Sequence, residues 1–335
     1  MKIKLFTLLF AIVASVGAYA DTDGDIVASG TCGDNLTWSF NSKIGKLIIL
    51  GSGEMNDYAF AWENPNETAP WYEYVSDIVS VDLSSEITKI GNYAFQDCNV
   101  LKDVVIPKSV QIIGDDAFAW CESVTSIVIP ENVTSIGEGA FYMSGLTSVI
   151  IPENVNFLGE WAFADCWNLT SATILGNIVD LNVGMFQNCN SLKSIVLPEK
   201  LKSFGIQTFQ GCDKLLSVTI PESVSEIGQN AFSGCKSLTS ITCYALTPPT
   251  LSSYRFYDFN YDIPLYVPDE SIGVYVNTEQ WKDFDIRPIS ALETGLKIAM
   301  FDNPSMKVRK VIENGVLYLL LPDGNTYNVL GAEVK

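Results

Sequence analysis

The stretch VTSIVIPENVTSIGEGAFYMSGLTSVIIPENVNFLGEWAFADC, residues 124–166, states one sentence twice. VTSIVIP, ENVTSIG and EGAF return as LTSVIIP, ENVNFLG and EWAF. Working outward, the same phenylalanine recurs as Phe95, Phe118, Phe141, Phe163, Phe186, Phe209 and Phe232, at spacings of 23, 23, 22, 23, 23 and 23 residues. The copies LKSIVLP (192–198) and LLSVTIP (215–221) extend the first phrase, and Gly91, Gly114, Gly137, Gly159, Gly205 and Gly228 extend the second. A fixed period of this length is the signature of a stacked array and outranks every local signal.

Each copy reads as one coil. Alternating V-x-I is a strand with its apolar residues on one face. Pro107, Pro130, Pro152, Pro198 and Pro221 end that strand, because proline brings no N–H to a ladder. V-x-x-I-G continues extended and turns the chain. In G-x-x-A-F-x-x-C the apolar spacing becomes three and four, which predicts a short helical turn. One coil cannot bury its own apolar side, but stacked coils can. The expected fold is therefore an α/β, β-rich repeat solenoid of seven coils of about 23 residues. A parallel sheet forms one face, and at ~4.8 Å per coil the array is about 34 Å long. Coil five, TILGNIVDLNVGMF (173–186), departs from the pattern with Leu175 in place of proline and Asn182 in place of glycine. Coil three is one residue short and lacks the cysteine.

The I-P, I-G, A-F and C positions over 78–243 resemble the BspA-like (Treponema-type) leucine-rich repeats of bacteria. The flanks resemble that family's usual ends: GTCGDNLTWSF, GKLIILGSGEM and APWYEY before the array, and TPPTL, LYVPDESIGVY and WKDF after it. The resemblance implies a leucine-rich-repeat array on a surface-exposed protein that contacts host or matrix proteins, or other cells.

The organisation expected is a signal peptide over 1–20, an N-terminal cap over 21–77, the array over 78–243, a C-terminal cap over 244–290 and a small β module over 291–335. MKIKLFTLLFAIVASVGAYA has a basic start at Lys2 and Lys4, an apolar run too short to span a bilayer comfortably, and a small-x-small site ending at Ala20. The expected location is thus secreted or cell-surface, after cleavage near Ala20, with no transmembrane segment in the mature chain. Caps are needed because array ends expose apolar core. WSF and KLIIL predict a strand pair in the first cap. PLYVP reads as a last strand, and ESIGVYVNTEQWKDF as a short capping helix. VIENGVLYLLLPDGNTYNVLG predicts three short strands broken at Asn314-Gly315 and Pro322-Asp323-Gly324. That segment resembles a short tail of secreted proteins that serves export or surface retention.

Composition excludes much chemistry. The formal net charge is −19 with a pI near 4.3, so nucleic acid is not an expected partner. The chain has no histidine, which removes Ser-His-Asp and Cys-His catalysis and His-based metal sites. No catalytic, metal or cofactor-binding residue is assigned, and the chain is not expected to be an enzyme. DTDGD (21–25) lacks the glycine and bidentate glutamate of an EF-hand loop. Cys98, Cys121, Cys166, Cys189, Cys212 and Cys235 share one repeat position and would stack in a row, which gives no tetrahedral metal site. Buried free thiols are the expected state, with disulfides between neighbouring coils as the alternative.

Two surfaces remain as candidate partner-binding sites. Outward strand positions carry Ser126, Val128, Ser148, Ile150, Ser171, Ser194 and Val196, a nearly uncharged band on an acidic protein. Trp120, Tyr142, Trp161 and Trp167 come from three consecutive coils at positions outside the A, F and C set. Such aromatics favour protein or sugar contacts. The function expected is an adhesin-like binding protein whose partner is a host or other-cell surface or matrix protein, or a glycan. The alternative is a structural spacer or self-association module without a specific ligand.

Overall fold

The computed structural model describes residues 26–252 and 258–292, and the strand backbones Arg309–Glu313, Val316–Leu320, Thr326–Asn328 and Glu333–Val334. The expected signal segment 1–20 and the acidic stretch 21–25 lie outside the described residues.

The chain winds as a three-sided solenoid. The first side carries the V-x-I strands in parallel register, as in Ser148–Ile151, Ser171–Ile174 and Ser194–Val196, where Ser171 pairs with both Ser148 and Ser194. The sequence reading gave one strand per coil, but the I-G segments form a second parallel ladder. Ile113 pairs with Ile90 and Ile136, and Leu158 with Ile136. Each ladder residue pair buries the inward side chain of the β-branched or leucine position, so both sides feed one continuous core. Gly137 sits where a Cβ would run into the backbone of Gly114 in the coil before it, so the repeated glycine lets the second ladder stack closely.

The third side corrects the expected helical turn. The A-F segments are a chain of tight turns, and each coil holds two residues in the left-handed region, two places before and two places after its phenylalanine. Tyr93 (φ 56°) and Asp97 (φ 63°) flank Phe95, and Trp161 (φ 51°) and Asp165 (φ 55°) flank Phe163. A left-handed residue turns its amide out of helical alignment. The N–H groups of Tyr93, Phe95 and Asp97 accordingly donate to the carbonyls of Asp115, Ala117 and Ala119 in the next coil, at 2.8, 2.9 and 3.0 Å. The intervening N–H groups of Ala94 and Gln96 close turns within their own coil. Backbone hydrogen bonds therefore join the coils on all three sides. Among the described residues the α-helical part shrinks to Ile272–Tyr275 in the C-terminal cap and a turn at 290–292, so ESIGVYVNTEQWKDF is only briefly helical.

The phenylalanines form a column. Successive rings from Phe95 to Phe232 lie 5.2–5.7 Å apart with interplanar angles of 3–22°. Trp71 of the N-terminal cap stacks on Phe95 at 5.9 Å and fixes itself by donating Nε1–H to the Ala94 carbonyl. All eight cysteines are free and buried. The thiols of Cys121, Cys166, Cys189, Cys212 and Cys235 each donate to the carbonyl of the phenylalanine one coil back, at 3.1–3.3 Å. Coil three fills the position with Ser144, whose hydroxyl meets Cys166 Sγ at 3.3 Å. Burial pushes the Cys235 thiol up to about 12.

The ladders run on into both flanks. Lys46–Glu54, hairpin partner of Leu36–Asn41, pairs in parallel with Ser80–Leu83 at one end and with Glu86–Ile90 at the other. One nine-residue strand thereby starts two sides of the solenoid. At the far end Pro264–Val267 is not the last strand, because Asp285–Pro288 pairs beside it. Coil five is where the second ladder breaks: Asp180–Leu181 pairs forward with Ser203–Phe204 but not back to Phe157–Leu158. There the Asn182 amide donates to the Leu158 carbonyl, and the Leu175 N–H, which a proline would lack, donates to Ile151. The tail forms four antiparallel strands where three were expected.

Phe141 lies between two ring neighbours and has no exposed surface. Phe141→Ala should cost about 3–5 kcal/mol through the cavity it leaves. Chemical denaturation checks this, and an unchanged midpoint would refute the ring column as core.

Candidate functional site

The outward positions of the third side are the left-handed ones. This backbone conformation suits glycine, asparagine and aspartate, and penalises bulky side chains. Most of the left-handed positions obey: Asp97, Asp116, Gly139, Asp165, Gly184, Asn188, Gly211, Asn230 and Gly234. Tyr93, Trp120, Met143, Trp161 and Gln207 do not.

Two of these exceptions, Trp120 and Trp161, line a shallow groove of about 290 Å³. Its other walls are Asp116, Glu138, Gly139, Tyr142, Asp165 and Gln187, drawn from coils two to five. Trp120 is held from both sides. Phe60 of the N-terminal cap stacks on it at 6.1 Å and 13°, and Tyr142 meets it edge-on at 5.2 Å and 81°. Trp161 lies over Gly184, where any Cβ would strike the indole ring. Asp116 leans over Gly139 in the same way. Glycine at these two places, both at positive φ, opens the space that the indole and the carboxylate fill.

The groove is acidic and uncompensated. Burial, reinforced by the charges of Glu138 and Asp115, pushes the Asp116 carboxyl up to about 6, against an opposing hydrogen bond from Tyr93. Glu138 is raised by burial and by Glu160 and Asp115. No Lys or Arg lines the groove. Among the described residues no group of three or more His, Cys, Asp or Glu is placed to hold a metal ion.

The aromatic set is thus brought together in part. Trp120, Tyr142 and Trp161 share the groove, while Trp167 lies outside it, half-exposed after Cys166. Asp116, Glu138, Asp165, Gln187 and Phe60 escaped the sequence reading. The first four stand at repeat positions three or two places before, and one or two after, the phenylalanine, so reading the columns coil by coil would have found them. Phe60 reaches Trp120 only through the fold.

The other candidate surface is the outer face of the first sheet. Ser126, Ser148 and Ser194 are exposed and Ser171 is half-exposed. Val128, Ile150 and Val196 are 78%, 61% and 54% exposed, and Val105 continues the row at 79%. Thr242, at the equivalent strand position of the last coil, is buried, with Tyr266 of the next strand paired beside it.

The model of the BspA type leucine rich repeat region matches residues 70–193 and 179–272, in six copies. The chain belongs to the BspA-type leucine-rich repeat family. A search of curated proteins gave no match. Among solved structures, a leucine-rich repeat protein from Bacteroides ovatus ATCC 8483 is 22% identical, with 70% of each chain covered and a TM-score of 0.47. The T. pallidum leucine-rich repeat protein is 27% identical over 53% of this chain and 86% of its own, with a TM-score of 0.44. A leucine-rich cell surface protein from Faecalibacterium prausnitzii A2-165 is 18% identical, covers 70% of this chain and 98% of its own, and has a TM-score of 0.31.

Asp116 gives this BspA-type chain a testable pH response. Its folded carboxyl binds a proton more tightly than the ordinary value of 3.8, so its contribution to stability is present below 3.8 and is lost as pH rises through about 6. Asp116→Asn removes the charge, and asparagine tolerates the left-handed backbone. The variant should melt higher than the parent at pH 7.5, and its melting temperature should change less between pH 4 and 6. Melts that coincide at every pH would show that Asp116 is solvated.

Proposed function

We propose that the protein is a secreted or cell-surface, adhesin-like binding protein that contacts a host or other-cell surface or matrix partner, and that its recognition surface is the aromatic groove of coils two to five. The observation that carries this reading is the placing of Trp120 and Trp161. Each holds a large ring at a backbone position whose conformation costs on the order of 1 kcal/mol or more for such a residue. Neighbouring coils keep the same left-handed backbone with glycine, aspartate or asparagine at the same positions. The rings therefore serve the surface rather than the fold, and half-exposed, pre-positioned tryptophans are the usual anchors of an interface. Membership of the BspA-type family agrees with a repeat scaffold that binds rather than catalyses. On this reading the residues 291–335 serve export or retention at the surface.

A second reading rests on the aliphatic row Val105, Val128, Ile150 and Val196. An exposed apolar band on a flat sheet would serve self-association, the spacer role.

The test is binding of the full chain to an array of matrix proteins and glycans. Trp120→Asn/Trp161→Asn should lose at least about tenfold in affinity for any partner, as expected for two anchor residues, while keeping its fold. Ile150→Glu should leave that binding intact. Binding that survives the double variant and falls with Ile150→Glu would move the site to the sheet. A change of oligomeric state with Ile150→Glu, and no partner, would favour the spacer.

A further inference from the structure

The groove's chemistry narrows the partner. We infer that the groove between Trp120 and Trp161 takes the cationic side chain, lysine or arginine, of a basic protein segment. This rests on the reading of the groove as the recognition surface.

Three observations lead here. The first is the lining itself: the rings of Trp120, Tyr142 and Trp161 stand among the carboxylates of Asp116, Glu138 and Asp165. A guanidinium or ammonium is attracted to the face of an indole, and its hydrogens match carboxylate oxygens. A neutral sugar would use the rings but would leave three negative charges without a counter-charge.

The second is the charge along the chain. Between Lys108 and Lys193 stand nine acidic residues and no Lys or Arg. The groove lies wholly within that interval, so no cation from its own coils is available to neutralise it. Elsewhere exposed acids do find cations, as Asp57 does with Lys89 at 2.7 Å and Asp82 with Lys46 at 2.6 Å. The middle coils present an unpaired negative field, which steers a basic partner toward the groove.

The third is geometry. Gly139 fills the repeat position between Asp116 and Trp161, and the Asp116 carboxylate occupies the space a side chain there would take, which seats that carboxylate in the groove beside the rings. An elongated alkyl stem can lie along the rings while its charged head reaches the carboxylates. The tryptophans are already fixed, Trp120 between Phe60 and Tyr142 and Trp161 over Gly184, so little ordering is needed on binding.

The experiment titrates the full chain with acetyl-Gly-Arg-Gly-amide and acetyl-Gly-Lys-Gly-amide, followed by tryptophan fluorescence and calorimetry. Acetyl-Gly-Gln-Gly-amide and a neutral cello-oligosaccharide serve as controls. The cationic peptides should bind, weaken as salt rises from 50 to 500 mM, and weaken about tenfold in Asp116→Asn/Glu138→Gln. The controls should bind at least about tenfold more weakly. Both substitutions remove charge without changing shape, and circular dichroism checks that the variant is folded. Equal binding of the glutamine peptide, preference for the oligosaccharide, unchanged affinity in the double variant, or no binding of either cationic peptide would each overturn the inference. If a partner from the array is lost in the tryptophan variant while the cationic peptides fail to bind, the groove still recognises that partner by other chemistry. In that outcome only the cationic ligand is discarded.

Discussion

Everything in this molecule depends on each coil burying its apolar side against the next. A single coil of about 23 residues has too little interior to pack alone. The column of phenylalanines, with rings 5.2–5.7 Å apart, is where that mutual burial is densest. It sets the rise per coil, and the rise must match the spacing of strands in the two parallel ladders, about 4.8 Å. The glycine of I-G and the small cysteine or serine three places after the phenylalanine both serve this match. They keep backbone and ring at compatible distances, as when Cys189 Sγ reaches the Phe163 carbonyl at 3.1 Å. Trp71 extends the column into the cap with a ring of the right size and a hydrogen bond to hold it.

Strict register has a consequence for the surface. Whatever stands at one repeat position in successive coils becomes a column about 5 Å apart. On the third side, the left-handed residues point such columns outward. Where the column reads Asp116, Gly139, Trp161, Gly184, large and absent side chains alternate, and the result is relief rather than a flat wall. The groove is this relief. Its acidity follows from the same rule, since Asp115, Glu138 and Glu160 occupy one position in three successive coils, where burial and the charges of its two neighbours raise the proton affinity of Glu138.

Departures from the repeat show which of its parts are replaceable. Coil five loses both its proline and its glycine, and the second ladder is interrupted there. The Asn182 side chain supplies a hydrogen bond across the gap and the Leu175 N–H adds one to the first ladder, while Phe186 keeps its place in the column at 5.7 Å from both neighbours. Hydrogen bonds can thus be rerouted, but the ring stack is maintained. The same holds for coil three, where Ser144 replaces the thiol and Phe141 stays stacked.

The sequence by itself determined the solenoid, its period, the inward faces of its strands and the buried state of its thiols. These follow from periodicity, and periodicity is a property of the chain alone. It also marked Trp120, Tyr142 and Trp161 as outside the core set. It misread the A-F segment as helical, because a spacing of three and four is shared by helices and by successive tight turns. Only the φ of residues such as Tyr93 and Asp97 separates the two, and neither side chain announces it. Tertiary structure alone decided that Trp167 leaves the groove and that Phe60, some sixty residues before Trp120, stacks on that tryptophan. It also decided that Asp116, Glu138 and Asp165 face one space. Contacts between coils depend on where each turn aims its side chains, and the repeat fixes that aim only once the backbone is folded.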